Sequence, residues 1–336
     1  MSTADTVRSA HGRPAPALPG TILVTGANGF IGRALSARLR ELGTTVLGVD
    51  LVPNESLDIV AGDMLRTEGW ASALEGVDAV IHTAAIVSNA ASIDQAWTVN
   101  VLGTRRVLDA CVAAGVTRFL HVSSVMAFGL DFPDGVDETY PARVCGHSYP
   151  DTRVNSEAVV LTAHAAHEID CTIIRPGDVF GPGSVWVREP LKLIKARQMV
   201  LPDGGRGIFT PVYIDNLVDG ILLALASDQA IGQVFTLTDG YSVTCAEYFG
   251  RLATLAGGSI RTLPTSIVVP LVSLVGAIQR RLGQHSELNA ASLLMLARTG
   301  TYSNEKARTI LGYQSLVGFD EGMTRVEAWA RSEGLA

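Results

Sequence analysis

Three glycines at the junction of an apolar strand and a helix constrain this chain more than any other feature. In TILVTGANGFIGRALSARL, Gly26, Gly29 and Gly32 end a run of strand residues and open a helical one. A side chain at such a turn keeps the backbone away from a pyrophosphate, whose charge rests on free helix N–H groups and the positive end of the helix dipole. Alone, a glycine triplet marks any tight strand-to-helix turn. Here Asp50 closes the next strand, eighteen residues past Gly32. An acid at that point accepts both ribose hydroxyls of an adenosine and repels a 2′-phosphate, which predicts NAD(H) over NADP(H). Arg33, inside the motif, points the other way.

From Thr21 onward, strand-length apolar runs (21–25, 45–50, 79–83, 119–123) alternate with helical-period stretches (31–42, 98–114). Continuous runs such as TILVT and DAVIHTA suit strands covered on both faces by helices, so the first half is predicted to be a doubly wound parallel α/β sheet of the Rossmann type. The rhythm breaks at RPGDVFGPGSV, where prolines and glycines predict a long irregular loop. A smaller, mostly helical lobe is expected beyond it. The resulting division is a disordered leader over 1–19, a dinucleotide domain over 20–176 with 212–237, and a substrate lobe over 177–211 with 238–336.

Charge and cysteine usage exclude several function classes. With 26 Lys+Arg against 33 Asp+Glu the net charge is −7, which argues against nucleic acid or an anionic membrane surface as the main partner. The four cysteines, at 111, 145, 171 and 245, are scattered without a CxxC or Cys/His cluster, so no disulfide framework and no metal site is expected, and a reducing cytoplasm fits. The longest apolar stretch, 267–278, falls short of the roughly 20 residues a membrane-spanning helix needs.

Further segments follow in order: AGDM ending at Met64, HTAA over 82–85, VNVLGT holding Asn100, VSSVMAFG over 122–129 and RPGDVFGPG over 175–183. Together with the spacing GxxGxxG, they resemble the extended short-chain dehydrogenase/reductase family, from about residue 20 to the end. The resemblance implies cofactor contacts from Gly26, Asn28, Gly29, Phe30, Ile31, Gly32, Asp50, Asp63, Met64, Thr83, Ala84, Ala85 and Pro176. It also implies a homodimer built on the helices around 98–114 and 149–167.

Hydride exchange at a carbinol carbon needs an acid/base beside the oxygen, a second donor to polarise it, and a cation to hold the acid/base near working pH. The resemblance assigns these to Tyr149, Ser124 and the residue four after the tyrosine, with Asn100 as the helix asparagine. The i, i+4 spacing puts Tyr149 and position 153 on one helix face. The family pattern is YxxxK, whereas this chain reads YPDTR. Arg153 keeps the charge but presents a planar fork in place of a compact ammonium, and Tyr149 and Arg153 both count as cofactor contacts. The competing expectation pairs Arg153 with Glu157 at i+4 and leaves a dinucleotide-binding protein without turnover. An intact YxxxK at Tyr302–Lys306 lies far past the cofactor strands and is read as a decoy.

Nucleotide-sugar epimerases and dehydratases of the family commonly carry an asparagine where this chain has Asp178. A negative charge there is a poor neighbour for a diphosphate, although Arg188, Lys192, Lys195, Arg197 and Arg206 remain available in the lobe. The C-terminal segments PVYIDNLVDGILLAL and TYSNEKARTILGYQ look more like the 3β-hydroxysteroid dehydrogenase and dihydroflavonol-reductase branch. An apolar small-molecule alcohol or ketone is the expected substrate, lined by Ser124, Met126, His147, Asp178, Val185 and Trp186. LPTSIVVPLVSLVGAI either closes over it or serves as core or oligomer contact.

Overall fold

A computed structural model describes residues 17–88, 91–281 and 290–336; the side chain of Arg280 is outside that description, as is the expected leader apart from residues 17–19. In chain order the first half comprises β1 (Thr21–Thr25), α1 (Phe30–Glu41), β2 (Thr45–Asp50), β3 (Ile59–Ala61), β4 (Ala79–His82), α2 (Ile93–Trp97), α3 (Thr104–Ala113), β5 (Arg118–Val122), α4 (Ser148–Ala165) and β6 (Asp170–Pro176). The second half adds β7 (Asp178–Phe180), α5 (Val185–Lys195), β8 (Val200–Pro202), β9 (Ile208–Phe209), β10 (Pro211–Tyr213), α6 (Ile214–Leu225), β11 (Val234–Leu237), β12 (Val243–Thr244) and α7 (Cys245–Leu255). It closes with β13 (Arg261–Leu263), α8 (Thr265–Arg281), α9 (Ala290–Ala297), α10 (Glu305–Leu311) and α11 (Phe319–Ser332).

Seven strands form one parallel sheet in the order β11-β6-β5-β4-β1-β2-β3. Alternation along each strand feeds two cores. Ile22, Val24, Ile81 and Leu120 pack with α1, α5 and α6 on one face, while Leu23, Val80 and Phe119 pack with α3 and α4 on the other. This is why the strands read as unbroken apolar runs. It is a doubly wound α/β fold, with a largely helical C-terminal part.

The 175–183 segment corrects the expectation of an irregular loop. β6 continues through Pro176, paired with Leu237, and β7 then pairs in parallel with β10. Proline tolerates the strand because it sits at the last paired position, where a missing N–H costs least. Gly177 is a packing glycine: a Cβ there would stand 2.6 Å from Thr210 O.

The expected helix over 98–114 is also modified. Its first part, Thr98–Gly103, is π-helical before α3 begins. The wider turn frees backbone carbonyls, and Thr104 Oγ1 donates to Asn100 O at 2.7 Å to satisfy one of them. Among the described residues no helix is long and apolar enough to cross a membrane.

Candidate active site

The sheet brings sequence-distant residues to one edge. Gly26 follows β1, Asp50 ends β2, Thr83 follows β4, Ser124 lies just past β5 and Pro176 ends β6. The strand order reverses between β1 and β4, which opens the crevice at the carboxyl ends where open α/β sheets bind ligands.

The glycine turn is a cradle that side chains would fill. Gly26 adopts φ +69°, and a Cβ there would stand 2.8 Å from Ala84 N and Thr83 Oγ1. A Cβ on Gly32 would collide with Gly26 O, so the third glycine lets α1 seat against the turn. Asn28 is half-buried, Gly29 exposed, and Phe30 and Ile31 open α1. Asp50 accepts from Asn28 N at 2.8 Å and Leu51 N at 2.7 Å, which ties the acid to the phosphate turn. A carboxylate has about four acceptor positions, so two remain for a ribose diol. Asp63 accepts from Leu65 N at 2.8 Å, and Met64 is buried against Gly103, where a Cβ would stand 2.8 Å from its Cε. Thr83 donates to Thr25 O at 2.7 Å; Ala84 and Ala85 are half-buried beside it. These features fit a dinucleotide.

Asn100 is buried and fully employed. It accepts from Ile86 N at 2.8 Å and donates to Ile86 O at 3.0 Å and Thr152 Oγ1 at 3.1 Å, joining the segment after β4 to α4. Ser124 caps a short 3₁₀ turn by accepting from Met126 N at 3.2 Å, and its hydroxyl proton remains available to a ligand. His147 is the residue before α4, and Tyr149 is half-buried in its first turn.

Arg153 is 3% exposed and lies over Tyr149, its guanidinium carbon 5.1 Å from the ring centroid. Its Nη1 reaches Val122 O at 3.4 Å, and its Nε has no hydrogen-bond partner among the described residues. The expected Arg153–Glu157 pair does not form. Glu157 instead accepts from Arg175 Nε at 2.9 Å, Arg175 Nη2 at 2.6 Å and Ser123 Oγ at 2.6 Å. Helical side chains lean toward the N-terminus, which carries Arg153 back over Tyr149 and leaves Glu157 to the strand residues beside it. His82 and His121 stack 5.5 Å apart nearby. Burial, and secondarily the Arg153 charge, pushes His82 down to about 3; burial, then His82 and Arg153, holds His121 well below the usual range. Both imidazoles are therefore neutral at pH 7, and among the described residues no carboxylate pairs with Arg153.

The remaining predicted residues are more dispersed. Asp178 is buried; it accepts from Thr210 N at 2.9 Å and forms a buried ion pair with Arg298. Desolvation pushes the Asp178 carboxyl up, opposed by Arg298. Arg298 Nη1 also reaches Met126 Sδ at 3.6 Å, so Met126 and Asp178 share this cation. Trp186 packs edge-on to Phe209 at 5.3 Å within the lobe's aromatic cluster, and Val185 is exposed. Tyr302 stacks on Phe128 at 5.6 Å and Lys306 lies over Phe235. Sequence reasoning missed Arg175, Ser123, Thr152 and Arg298. The first three lie inside segments already singled out, but nothing in the sequence marks Arg298.

The glycine cradle, its tethered acid and the Tyr149–Arg153 helix face coincide with a family match. Residues 22–237 match the model of the NAD dependent epimerase/dehydratase family. The chain belongs to that family. It is an NAD-dependent dehydrogenase/reductase of the extended short-chain type, acting on CH–OH groups. It is 30% identical, over 91% of its length and 89% of the relative's, to a "3 beta-hydroxysteroid dehydrogenase/Delta 5-->4-isomerase" of Mycobacterium tuberculosis. It is also 30% identical, over 91% of its length and 98% of the relative's, to a "2-alkyl-3-oxoalkanoate reductase" of Stenotrophomonas maltophilia. Among solved structures, a short-chain dehydrogenase/reductase superfamily protein of Agrobacterium tumefaciens with bound NAD superposes with a TM-score of 0.74 at 25% identity, covering 93% of this chain and 98% of that one.

Proposed function

We propose that this enzyme interconverts a secondary alcohol and a ketone on an apolar, steroid-like or other ring-bearing substrate, with Tyr149 as the acid/base. NAD, when bound, supplies the hydride acceptor or donor. In the oxidising direction Tyr149 Oη takes the proton of the alcohol oxygen, Ser124 donates a hydrogen bond to that oxygen, and Arg153 lies as a cation over the Tyr149 ring. The observation that carries the reading is the buried Arg153, which lies against the Tyr149 ring with no carboxylate pairing with it among the described residues. Its orphaned Nε is a donor suited to a ribose hydroxyl. Asn100 positions α4 through Thr152 and the strand end through Ile86.

On this reading, residues 20–176 with 212–237 hold the cofactor, and residues 177–211 with 238–336 cover the substrate. Met126 and His147 line the substrate, with Asp178 behind Met126 through Arg298. Exposed Trp97, Leu102 and Leu161, on and beside the 98–114 and 149–167 helices, support a homodimer on that face. A cytoplasmic enzyme suits the four free cysteines. The 3β-hydroxysteroid relative favours a polycyclic substrate.

The test is NADH formation by the purified protein across hydroxysteroids, terpenoid alcohols and flavanols, with NADP in parallel. Sustained turnover with one apolar alcohol is the expected result. Silence across the panel, with NADH still bound and melting raised by nucleoside-diphosphate sugars, overturns the substrate reading.

A further inference from the structure

We propose that helix α8 docks the enzyme on an anionic lipid surface. Its outward face reads Ile267, Pro270, Leu271, Leu274, Ala277, Ile278 and Arg281, all exposed. Ile267 is 55% exposed, Leu274 60% and Ile278 50%, unusual values for large apolar residues aligned on one helix face. The spacings of three and four residues make one continuous stripe, about 21 Å long at 1.5 Å per residue, that meets no polar side chain before Arg281.

The helix is firmly based. Thr265 N and Oγ1 donate to the Asp203 carboxylate at 2.8 and 2.5 Å, and Val268 is buried beneath the stripe. The exposed face is therefore an outer surface of a packed element.

Local charge identifies the occupant. Between Glu247 and Glu287 the sequence holds no acid but has Arg261, Arg280 and Arg281, besides Arg251, which pairs with Asp320 at 2.9 Å, so the chain-wide charge of −7 hides a cationic segment. Arg261 and Arg281 are exposed near the two ends of α8. An apolar stripe flanked by arginines suits an interfacial helix lying in the plane of an anionic lipid headgroup layer. A second copy fits less well, because a two-fold interface sets the patch against itself and the carboxylate at the start of α8, Asp203, is already engaged by Thr265. α8 packs on α9, which ends one residue before Arg298, the neighbour of Met126. A docked surface would thus lie on the substrate side of the lobe.

The experiment is flotation of the full-length protein with vesicles of phosphatidylcholine alone or mixed with phosphatidylserine, without substrate or cofactor, so it does not depend on the reaction proposed above. Binding is expected to the mixed vesicles, weakened by salt and by Arg281→Gln. The double variant Leu271→Gln/Leu274→Gln should lose about tenfold or more in affinity, since it removes two apolar side chains from the lipid contact. Its melting curve should match the wild type; if it does not fold, Ile278→Gln replaces it. No binding to mixed vesicles, or undiminished binding of the folded apolar-stripe variant, overturns the proposal. So does light scattering that shows the variant splitting a dimer, which would assign the stripe to a second copy.

Discussion

Arg175 clasps Glu157 through Nε at 2.9 Å and Nη2 at 2.6 Å, and so removes the one carboxylate a helical turn away from Arg153. The family lysine position is consequently filled by a buried cation whose neighbours are an aromatic ring, a carbonyl and two neutral imidazoles. Burying an uncompensated charge is destabilising, so its retention here points to function.

Replacing that cation should separate stability from activity. Arg153→Met should raise the melting temperature of the cofactor-free protein, because an apolar side chain of similar length removes the desolvation cost. The same variant should lose about 100-fold or more in kcat, as expected when the charge beside an acid/base is removed. Arg153→Lys should retain turnover within about tenfold, since the point charge survives while the fork geometry changes. Differential scanning fluorimetry and steady-state kinetics on the same preparations check both.

Tyr149→Phe should abolish turnover, a loss on the order of 10²–10⁴-fold, because the phenol is the only proton acceptor assigned to the alcohol oxygen. NADH affinity, read by fluorescence titration, should change by less than about threefold, since the ring that Arg153 lies over is preserved. Unchanged turnover would remove Tyr149 from the mechanism.

His82 should make stability fall on acidification. Its folded value of about 3 lies below the ordinary 6.5, so the unfolded chain binds the extra proton between those values. The contribution is fully present above pH 6.5 and declines by about 1.4 kcal/mol per pH unit as the pH falls toward 3. Asp239, pushed up from 3.8 to about 6 by burial, acts in the opposite sense over most of this window. The His82 contribution is therefore best isolated as a difference. Urea melts of wild type and His82→Gln at pH 7 and pH 5.5 should show a smaller pH effect in the variant.

The Asp178–Arg298 pair should behave as a buried ion pair that cannot lose one partner. Arg298→Met leaves Asp178 buried with Thr210 N as its one remaining donor among the described residues, and should cost about 3–5 kcal/mol in chemical denaturation. Pairing it with Asp178→Leu should recover much of that loss, because two apolar groups leave no orphaned charge.

The sequence by itself determined the fold class, the glycine turn with its distant acid, and the Tyr149–Arg153 helix face. Each rests on local physics: a strand buried on both faces is apolar throughout, a Cβ does not fit at Gly26, and residues four apart share a helix face. The strand at Asp178–Phe180 was hidden because proline and glycine signal breaks, whereas their actual roles at 176 and 177 are a strand end and a close approach to Thr210. Only the tertiary structure decided which partner Glu157 takes, since Arg153 and Arg175 both lie within its reach in sequence terms and a choice between two cations depends on where β6 runs. The same holds for Arg298, which meets Asp178 from 120 positions away in the sequence. It holds again for α8, whose apolar letters read equally well as core or surface until packing showed which face was left outside.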